Sequence, residues 1–350
     1  MIDLDDEKAL KAADPGGMLD AVARLGGDCR AGYEAGLKTT GLPSADGVAS
    51  ISLSGMGGSA VSGDIVKALY AGRLGVAIDV VRSPLLPEHA GPHGLVVTTS
   101  YSGNTAETLT GFDEALRRGC RVLAVTSGGE LARRAEDADV PVVKVPTGMQ
   151  PRAALGHLAL ATLGALEAMG AIPSVSNDVD EAAGVLEGLA GELGPANAGS
   201  RAKAIARRML GRVPVIWGTD GIGSVAAMRW KTQMNENAKS PAFWSAMSEL
   251  DHNELAGWGE GTGSSFFVVA LRHPEEPDGI APRYPFSLGV VKDAGADTEE
   301  IEAVGDSALA RLLSLITVGD FTSVYFALLR GVDPTPVDVI EGLKKHLAGE

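Results

Sequence analysis

Two segments rich in glycine and hydroxyl groups have the composition of loops that bind an anion. They are Gly55-Met56-Gly57-Gly58-Ser59-Ala60 and Ser100-Tyr101-Ser102-Gly103-Asn104-Thr105, and each follows an apolar run and opens a helical pattern. The start of a helix presents unpaired N–H groups and a partial positive charge, and glycine lets the main chain approach an anion. Two such loops on neighbouring strands would enclose one phosphate group without a lysine. The hydroxyl groups that add neutral donors belong to Ser59, Ser100, Ser102 and Thr105.

These segments also fit two other interpretations. The hydroxyl groups could serve only as helix N-caps. The first segment also fits the dinucleotide-binding pattern G-x-G-x-x-A, with Asp79 following Gly55 by 24 residues, so an NAD(P)-dependent enzyme is an alternative. Asp79 lies inside an apolar run rather than at its end, and a dinucleotide needs no second hydroxyl-rich loop. The pattern therefore favours a phosphorylated monosaccharide, and the absence of a G-x-x-x-x-G-K-[ST] motif argues against ATP chemistry.

A second group of candidate residues lies in the polar block at 229–258, RWKTQMNENAKSPAFWSAMSELDHNELAGW. Glu236 lies between two asparagines at the end of a predicted helix, where the helix dipole disfavours a carboxylate, and such a group suits a general base. His252 has Asp251 and Asn253 as neighbours that can fix its tautomer. The alternatives are a solvated carboxylate at a helix end and a capping or core histidine.

The sequence gives little support for a metal centre or a nucleophilic triad. His89 and His93 are four residues apart, but a glycine and a proline between them exclude a regular helix. CxxC, HExxH and G-x-S-x-G motifs are absent. Cys29 and Cys120 are isolated and cannot form a disulfide framework, which is typical of a reducing cytoplasm. The residues therefore favour neither a metal centre nor a nucleophilic triad.

Composition narrows the class of protein further. The chain has 350 residues, 45 % of them hydrophobic, which is enough for a large buried core. Its net charge of −15 disfavours nucleic acid or an anionic membrane as a general partner. The acidic N-terminus lacks the pattern of a signal peptide, and no uninterrupted apolar run approaches about 18 residues. We expect a soluble cytoplasmic protein.

The elements that must position these residues alternate along the chain. From residue 48, short apolar runs alternate with helical patterns, which predicts right-handed βαβ units and a parallel sheet with helices on both faces. In the first half the predicted strands are Val48–Leu53, Val76–Val81, Leu95–Thr99, Arg121–Val125 and Pro141–Val145, and the predicted helices lie at about 59–70, 105–118, 130–138 and 152–170.

The second half repeats this alternation. Each half opens with a strand, a glycine-rich turn and a helix, ISLSGMGGSAV at 51–61 and VIWGTDGIGSV at 215–225. We therefore predict an α/β fold with two αβα sandwich subdomains, although two glycine turns could also arise by chance. The predicted strands are Val213–Trp217, Phe266–Leu271 and Ile301–Val304, with helices near 222–238, 306–330 and 336–347 and a proline-rich loop at 274–285. The predicted division is a helical segment at 1–45, a first subdomain at 46–170, a connector at 171–200 and a second subdomain with C-terminal helices at 201–350.

Together these motifs resemble the sugar isomerase (SIS) domain superfamily and, within it, the bifunctional phosphoglucose/phosphomannose isomerase family. The resemblance extends from about residue 48 to about 347. SYSGNT marks the superfamily, whereas NENAK followed by HNE is far more specific. Ser248 departs from the proline usual in the family, and Asp251 departs from the common asparagine. The motifs are GMGGSAVSGDI (55–65), SYSGNTAETL (100–109), VTSGGELA (125–132), PTGMQPRAALG (146–156), RWKTQMNENAKSPAF (229–243), ELDHNELAGW (249–258) and DPTPVDVIEGLK (333–344).

The resemblance implies two SIS subdomains with parallel sheets and a cofactor-free aldose–ketose isomerase that acts on glucose 6-phosphate, mannose 6-phosphate or both. It implies that Glu236 moves a proton between C1 and C2 through a cis-enediol, while Arg152 stabilises the enediolate charge. It implies that His252 opens the sugar ring, aided by Lys344, beside which Lys345 is an alternative. The phosphate group would lie on Gly58, Ser59, Ser100, Ser102 and Thr105.

The resemblance also implies a homodimer in which the histidine of the HNE segment enters the active site of the other chain. The sequence is compatible, because Ala242-Phe243-Trp244 and Trp258 flank His252 and clustered aromatics favour an interface. Packing of these aromatics inside one subunit is the alternative. A non-catalytic SIS-type sugar-phosphate sensor and an NAD(P)-dependent oxidoreductase are the competing functions, and the preferred epimer depends on the shape of the pocket.

Overall fold

A computed structural model describes residues 2–348, without the side chains of Lys344, Lys345, Leu347 and Ala348. The helices are α1 Glu7–Ala13, α2 Met18–Ala23, α3 Leu25–Leu37, α4 Gly57–Tyr70, α5 Ala106–Arg117, α6 Gly129–Asp137, α7 Leu155–Ala168, α8 Ser176–Leu193, α9 Arg201–Met209, α10 Ile222–Glu236, α11 Arg283–Asp293, α12 Ala308–Leu329 and α13 Asp338–Ala348. The strands are β1 Ser50–Gly55, β2 Ala77–Val81, β3 Gly94–Ser100, β4 Arg121–Thr126, β5 Val142–Lys144, β6 Val213–Thr219, β7 Phe243–Met247, β8 Phe266–Arg272 and β9 Asp297–Glu302.

The contacts divide the chain into two compact units, which we name after their sheets. The first-sheet unit comprises residues 24–187 and 304–314, and the second-sheet unit comprises residues 1–23, 188–303 and 315–350. The four-segment division expected from the sequence stays a prediction, because these units are defined by contacts rather than by successive segments.

The first-sheet unit contains a parallel sheet of strand order β2-β1-β3-β4-β5. Strands β1 and β3 are buried along their whole length, because helices cover both faces of the sheet. Helix α7 is buried at every position from Leu155 to Leu166. It packs closely against α3 through glycines: a Cβ on Gly36 would lie 2.3 Å from the carbonyl oxygen of Ala161, and one on Gly164 would lie 2.3 Å from that of Tyr33.

The second-sheet unit contains a parallel sheet of order β7-β6-β8-β9. Trp217 on β6 and Val268 on β8 belong to a buried cluster with Leu288 of α11. Helix α10 packs on α12, where the Trp230 indole donates to the carbonyl oxygen of Leu315 at 2.8 Å. Gly319 makes room for this ring, because a Cβ there would lie 2.3 Å from the Trp230 Nε1. The predicted α/β fold with two parallel sheets is confirmed.

Four details of the sequence-based assignment were wrong. Strand β9 spans Asp297–Glu302 instead of Ile301–Val304, because its charged residues mask the strand pattern and pair with arginines such as Arg208. Strand β7 and helix α9 were not predicted. Helix α11 begins at Arg283, inside the predicted proline-rich loop.

Among the described residues, one helix is long and apolar enough to cross a membrane. The apolar window lies in α12 and has a mean hydropathy of 1.7, although the sequence lacks an uninterrupted apolar run of this length. All of that window is buried inside the protein, as in the core helix of a globular fold.

Candidate active site

The hydroxyl-rich loop at 100–105 joins the carboxyl end of β3 to the start of α5. The Ser100 and Thr105 hydroxyl oxygens lie 3.1 Å apart, and the main-chain N–H of Gly103 donates to the Ser100 Oγ at 3.1 Å. Thr105 occupies the N-cap position of α5, yet among the described residues its side chain makes no cap hydrogen bond. The N-cap alternative therefore does not describe the Thr105 hydroxyl, which lies within hydrogen-bond distance of the Ser100 hydroxyl instead.

The glycine of this loop is required by close main-chain contacts. Gly103 has a φ of +69°, and a Cβ there would lie 1.9 Å from the carbonyl oxygen of Gly128. Any larger residue would force the loop away from the turn that precedes α6. The loop is therefore held in one conformation by the neighbouring turn.

The glycine-rich loop at 55–60 lies on the adjacent strand β1 and opens α4. The Ser59 Oγ accepts a hydrogen bond from the Tyr101 main-chain N–H at 3.1 Å, which ties the two loops together. A Cβ on Gly58 would lie 3.2 Å from the carbonyl oxygen of Pro151 and 3.3 Å from the Arg152 Cα. Gly58 thus lets the start of α4 approach the segment that carries Arg152.

Arg152 lies in a short 3₁₀ helix, Pro151–Ala154, and is only 2 % exposed. Its Nη1 donates to the Gln150 Oε1 at 3.4 Å. A buried guanidinium group carries its charge in a medium of low dielectric, where it attracts an anion more strongly than a surface arginine does. The structure therefore brings the five predicted phosphate residues together and places the backbone of Arg152 against one of them.

Tyr101 is a residue of this site that the sequence analysis did not single out. Its hydroxyl group donates to the Pro146 carbonyl oxygen at 3.0 Å and accepts from the Met149 N–H at 2.8 Å. Its own carbonyl oxygen accepts from the Ser127 Oγ at 2.7 Å. Tyr101 therefore connects the hydroxyl-rich loop to the 146–152 segment that ends at Arg152. The available signal was an aromatic residue set between two serines in SYSGNT.

The position of Asp79 does not fit the dinucleotide alternative. Asp79 lies in the middle of the edge strand β2, opposite Ser52 of β1, and its carboxylate lies 2.8 Å from the His89 Nε2. In the dinucleotide fingerprint the acidic residue contacts the ribose from beyond the end of its strand.

Among the described residues, no group of three or more His, Cys, Asp or Glu side chains could hold a metal ion.

Neither cysteine is placed for nucleophilic chemistry. Burial raises the pKa of the Cys29 thiol far above its usual range, and it also raises the pKa of the half-buried Cys120 thiol. A thiol with a raised pKa stays protonated at neutral pH, and only the thiolate is a nucleophile.

Glu236 is the last residue of α10 and lines a cavity of about 600 Å³. The rest of the wall includes Asn235, Ser240 and apolar residues of the 332–340 segment. Glu236 is half-buried.

Helix α10 is fixed in place by buried polar contacts with α12. The Arg229 guanidinium binds both carboxylate oxygens of Asp320, at 3.1 Å and 2.9 Å. One residue beyond Glu236, the Asn237 amide donates to the Ser323 Oγ at 2.9 Å. The end of the helix that carries Glu236 therefore has a defined position in the second-sheet unit.

His252 ends a short 3₁₀ helix that follows β7, and its side chain is exposed. The neighbours expected to fix its tautomer have other partners. Asp251 accepts hydrogen bonds from the Ser287 Oγ at 2.9 Å and the Arg283 Nη1 at 3.1 Å. The Asn253 amide donates to the Glu249 Oε1 at 2.7 Å. The imidazole of His252 therefore faces solvent rather than these side chains.

Glu254, the last residue of the HNE motif, has a structural position. One carboxylate oxygen accepts from the Trp217 indole N–H at 2.9 Å, and the other accepts from the Ser245 Oγ. It thereby joins the 3₁₀ segment after β7 to strands β6 and β7. These bonds anchor the segment that carries His252.

Glu236 and His252 lie at opposite ends of the strands of the second sheet. Helix α10 begins after the carboxyl end of β6 and runs back towards the amino end of β7. Glu236, its last residue, therefore lies near the amino ends of the strands. His252 follows the carboxyl end of β7, which is parallel to β6. The five residues of β7 span roughly 16 Å at the usual strand rise. The end of α10 and the segment that carries His252 therefore lie at opposite ends of strand β7.

Lys344 and Lys345 lie in α13, but their side chains fall outside the described residues. The first turn of α13 lines the cavity that contains Glu236, through Val339 and Ile340 among others. The helix that bears both lysines therefore lines the same cavity as Glu236.

The aromatic residues around His252 divide into two groups. Phe243 and Trp244 of the edge strand β7 are 57 % and 38 % exposed, beside a cavity of about 420 Å³. Trp258 instead packs edge-on against Trp217 and Phe266, with ring centroids 6.5 Å and 5.3 Å apart. Trp258 therefore packs inside its own subunit, whereas the exposed side chains of Phe243 and Trp244 are available for an interface.

Comparisons with known proteins cover the same region as the motifs. The sequence family described as the bacterial phospho-glucose isomerase C-terminal SIS domain matches residues 198–347. A bifunctional phosphoglucose/phosphomannose isomerase of Caldicellulosiruptor bescii is 34 % identical over 339 residues, which cover 95 % of this chain and 99 % of that protein. A protein of the same description from Aquifex aeolicus is 36 % identical over 295 residues, covering 84 % of this chain and 88 % of that protein.

Similarity to solved structures supports the fold. A glucose-6-phosphate isomerase like protein from Thermus thermophilus aligns with a TM-score of 0.65 and 19 % identity, covering 99 % of both chains. At this identity the likeness shows the fold alone. The relatives above 30 % identity extend over both halves of the chain and confirm the resemblance that the motifs indicated. The chain belongs to the bifunctional phosphoglucose/phosphomannose isomerase family.

Proposed function

We propose that this protein interconverts glucose 6-phosphate and mannose 6-phosphate with fructose 6-phosphate. The observation that carries the proposal is the contact of two hydroxyl-rich loops through Ser59 and Tyr101, beside the place where Gly58 approaches the segment of the buried Arg152. In a member of this isomerase family, such a site fits the phosphate group of a hexose 6-phosphate.

The phosphate group binds the hydroxyl-rich loops. Ser102 lies exposed at the start of the α5 loop, and Thr105 has a side chain that does not cap the helix among the described residues. The N-termini of α4 and α5 add main-chain N–H groups and a partial positive charge. These donors hold the ligand by its phosphate and leave C1 and C2 to the catalytic groups.

Glu236 acts as the base of the isomerisation. In the aldose-to-ketose direction its carboxylate takes the proton from C2 and returns it to C1, while the O2 hydroxyl proton is transferred to O1. Arg152 stabilises the negative charge that develops on the enediolate oxygen. Because glucose and mannose 6-phosphate differ only in configuration at C2, both pass through the same cis-enediol. One site can therefore serve both epimers.

His252 and Lys344 open the sugar ring, which requires proton transfer at the ring oxygen and at the anomeric hydroxyl. We further propose a homodimer in which each His252 serves the active site of the other chain. This is supported by the exposure of His252 and by the opposite positions of His252 and Glu236 on the second sheet. Exposed Phe243 and Trp244 on the edge strand nearby would cover part of such an interface.

The reaction transfers protons within one substrate and leaves its overall oxidation state unchanged, so it requires no hydride acceptor. We accordingly propose a cofactor-free enzyme, without a nucleic-acid or membrane partner, that acts in the cytoplasm. The net charge of −15 supports the absence of a nucleic-acid or anionic-membrane partner.

A coupled assay tests the proposal, with glucose 6-phosphate, mannose 6-phosphate and the unphosphorylated sugars as substrates and with or without EDTA. We expect turnover of both phosphorylated sugars, none of the free sugars, and no effect of EDTA. Binding of fructose 6-phosphate without turnover would instead indicate a sugar-phosphate sensor. Thermal stabilisation by NAD(H) or NADP(H) but not by fructose 6-phosphate would favour the oxidoreductase alternative.

A further inference from the structure

Lys239 connects the end of α10 to the segment that leads into α13. Its ammonium group donates to the main-chain carbonyl oxygens of Asn237 at 3.3 Å, Asp333 at 2.8 Å and Pro334 at 3.2 Å. The Asn237 carbonyl belongs to the last turn of a helix, where carbonyl groups lack a partner within the helix and a cation is favoured. One side chain thus joins two segments that are far apart in the sequence.

The main chain at this position favours glycine rather than lysine. Lys239 has a φ of +49°, in the left-handed region that L-residues with a side chain rarely adopt. A glycine would occupy this conformation without steric cost. The lysine side chain therefore contributes contacts that offset its backbone conformation.

The segment that Lys239 holds forms a wall of the Glu236 cavity. Asp333 and Val337 line this cavity together with Glu236 and Lys239 itself. The Asp333 carboxylate accepts from the Thr335 N–H at 2.9 Å, which shapes the turn before α13. Lys239 therefore joins the residue that follows Glu236 to the segment that leads into α13.

The large apolar side chains of helix α13 that the structure describes are exposed. Val339, Ile340 and Leu343 are all exposed, and Val339 is 87 % exposed. A helix held by few buried apolar contacts opens easily, so a polar tether at its entrance has a large influence on its position.

We propose that Lys239 is a positioning residue, which sets α13 and its lysines relative to Glu236 by hydrogen bonding to the 333–334 carbonyls. This inference rests on the proposed function, because it concerns the site to which Glu236 and Lys344 are assigned. Lys239 acts through the main chain of the segment and not on the reacting atoms.

Hydrogen–deuterium exchange of the full-length protein tests the tether without any need for activity. Lys239→Met keeps most of the side-chain length and removes the donors, so amides of residues 338–348 should exchange about tenfold faster. Lys239→Arg retains donors and should restore most of the protection. Lys239→Gly removes the ammonium group in a conformation that suits glycine, and it should repeat the effect if Lys239→Met folds poorly. Lys292→Met is the matched control, because Lys292 is exposed on α11 and its ammonium forms no hydrogen bond among the described residues.

Kinetic measurements then distinguish a failure of the tether, the Lys239 hydrogen bonds to the 333–334 carbonyls, from a failure of the proposed function. With glucose 6-phosphate we expect Lys239→Met and Lys239→Gly to lower kcat/KM by about tenfold, with recovery in Lys239→Arg and no change in Lys292→Met. Unchanged exchange of α13 in both the Met and Gly variants would overturn the inference, even if the enzyme is active. If the wild-type protein does not isomerise hexose phosphates, the proposed function fails, while faster exchange would still establish the tether.

Discussion

Tyr101→Phe is the perturbation that most directly tests how the phosphate site is built. The substitution keeps the buried ring and removes only the hydroxyl group, which donates to the Pro146 carbonyl oxygen and accepts from the Met149 N–H. These bonds hold the 146–152 segment, and with it Arg152, against the hydroxyl-rich loop. The expected effect is therefore on both stability and ligand binding.

The magnitude depends on whether the abandoned partners can reach water. Pro146 is exposed and Met149 is half-buried, so both groups can be hydrated once the hydroxyl is gone. Each lost hydrogen bond should therefore lower the free energy of unfolding by about 1 kcal/mol, the net contribution of an ordinary hydrogen bond. The larger cost of leaving a buried group unpaired does not apply. We expect a loss of about 2 kcal/mol and a fall in Tm of roughly 4–8 °C. If all of this loss appears in binding, KM for hexose 6-phosphates rises by up to about thirtyfold.

The assay combines thermal unfolding with initial rates on glucose 6-phosphate and mannose 6-phosphate. Tyr70→Phe is the matched control, because Tyr70 is buried in the same unit and its hydroxyl group has no hydrogen-bond partner among the described residues. It should leave both Tm and KM close to the wild-type values. A Tyr101→Phe variant with unchanged Tm and unchanged KM would refute the role of Tyr101 in holding the 146–152 segment.

Two further predictions concern the individual groups of the site. Glu236→Gln keeps the size of the side chain but removes the proton acceptor, so turnover should fall by roughly 10²–10⁴ while fructose 6-phosphate still binds; near-normal turnover would exclude Glu236 as the base. Ser102→Ala and Thr105→Ala should mainly raise KM for phosphorylated substrates, since each removes a bond worth about 1.5–3 kcal/mol to a charged group. Wild-type affinity for hexose phosphates in both variants would show that the phosphate binds elsewhere.

The sequence predicted the elements whose patterns are local. Buried strands such as β1 and β3 form continuous apolar runs, and the loops after them carry glycines and hydroxyl groups at fixed spacing. The edge strands β7 and β9 escaped this approach. Strand β9 contains alternate charged residues that pair with arginines on α9. Strand β7 is the short segment FWSAM, which comes soon after a proline. The edge strands β2 and β5 contain apolar runs and were predicted, whereas β7 and β9 depend on partners that a local pattern does not contain.

The candidate site shows the same limit. Each hydroxyl-bearing loop could be recognised from its own residues, but Tyr101 and Lys239 act through hydrogen bonds to segments 45 and 94 residues away. No spacing rule in the sequence connects such pairs. The separation of Glu236 and His252 likewise follows from the parallel pairing of β6 with the unpredicted strand β7.

Complementation between two inactive variants tests the proposed catalytic centre most directly. Glu236→Gln and His252→Ala chains are unfolded, mixed and refolded, and native mass spectrometry confirms mixed dimers. If each centre combines Glu236 of one chain with His252 of the other, one of the two centres in every mixed dimer carries both wild-type groups. Random pairing then predicts recovery of about a quarter of wild-type activity on glucose 6-phosphate. Mixed dimers that stay as inactive as the separate variants would contradict the shared centre, because sites confined to one chain would each keep one substitution.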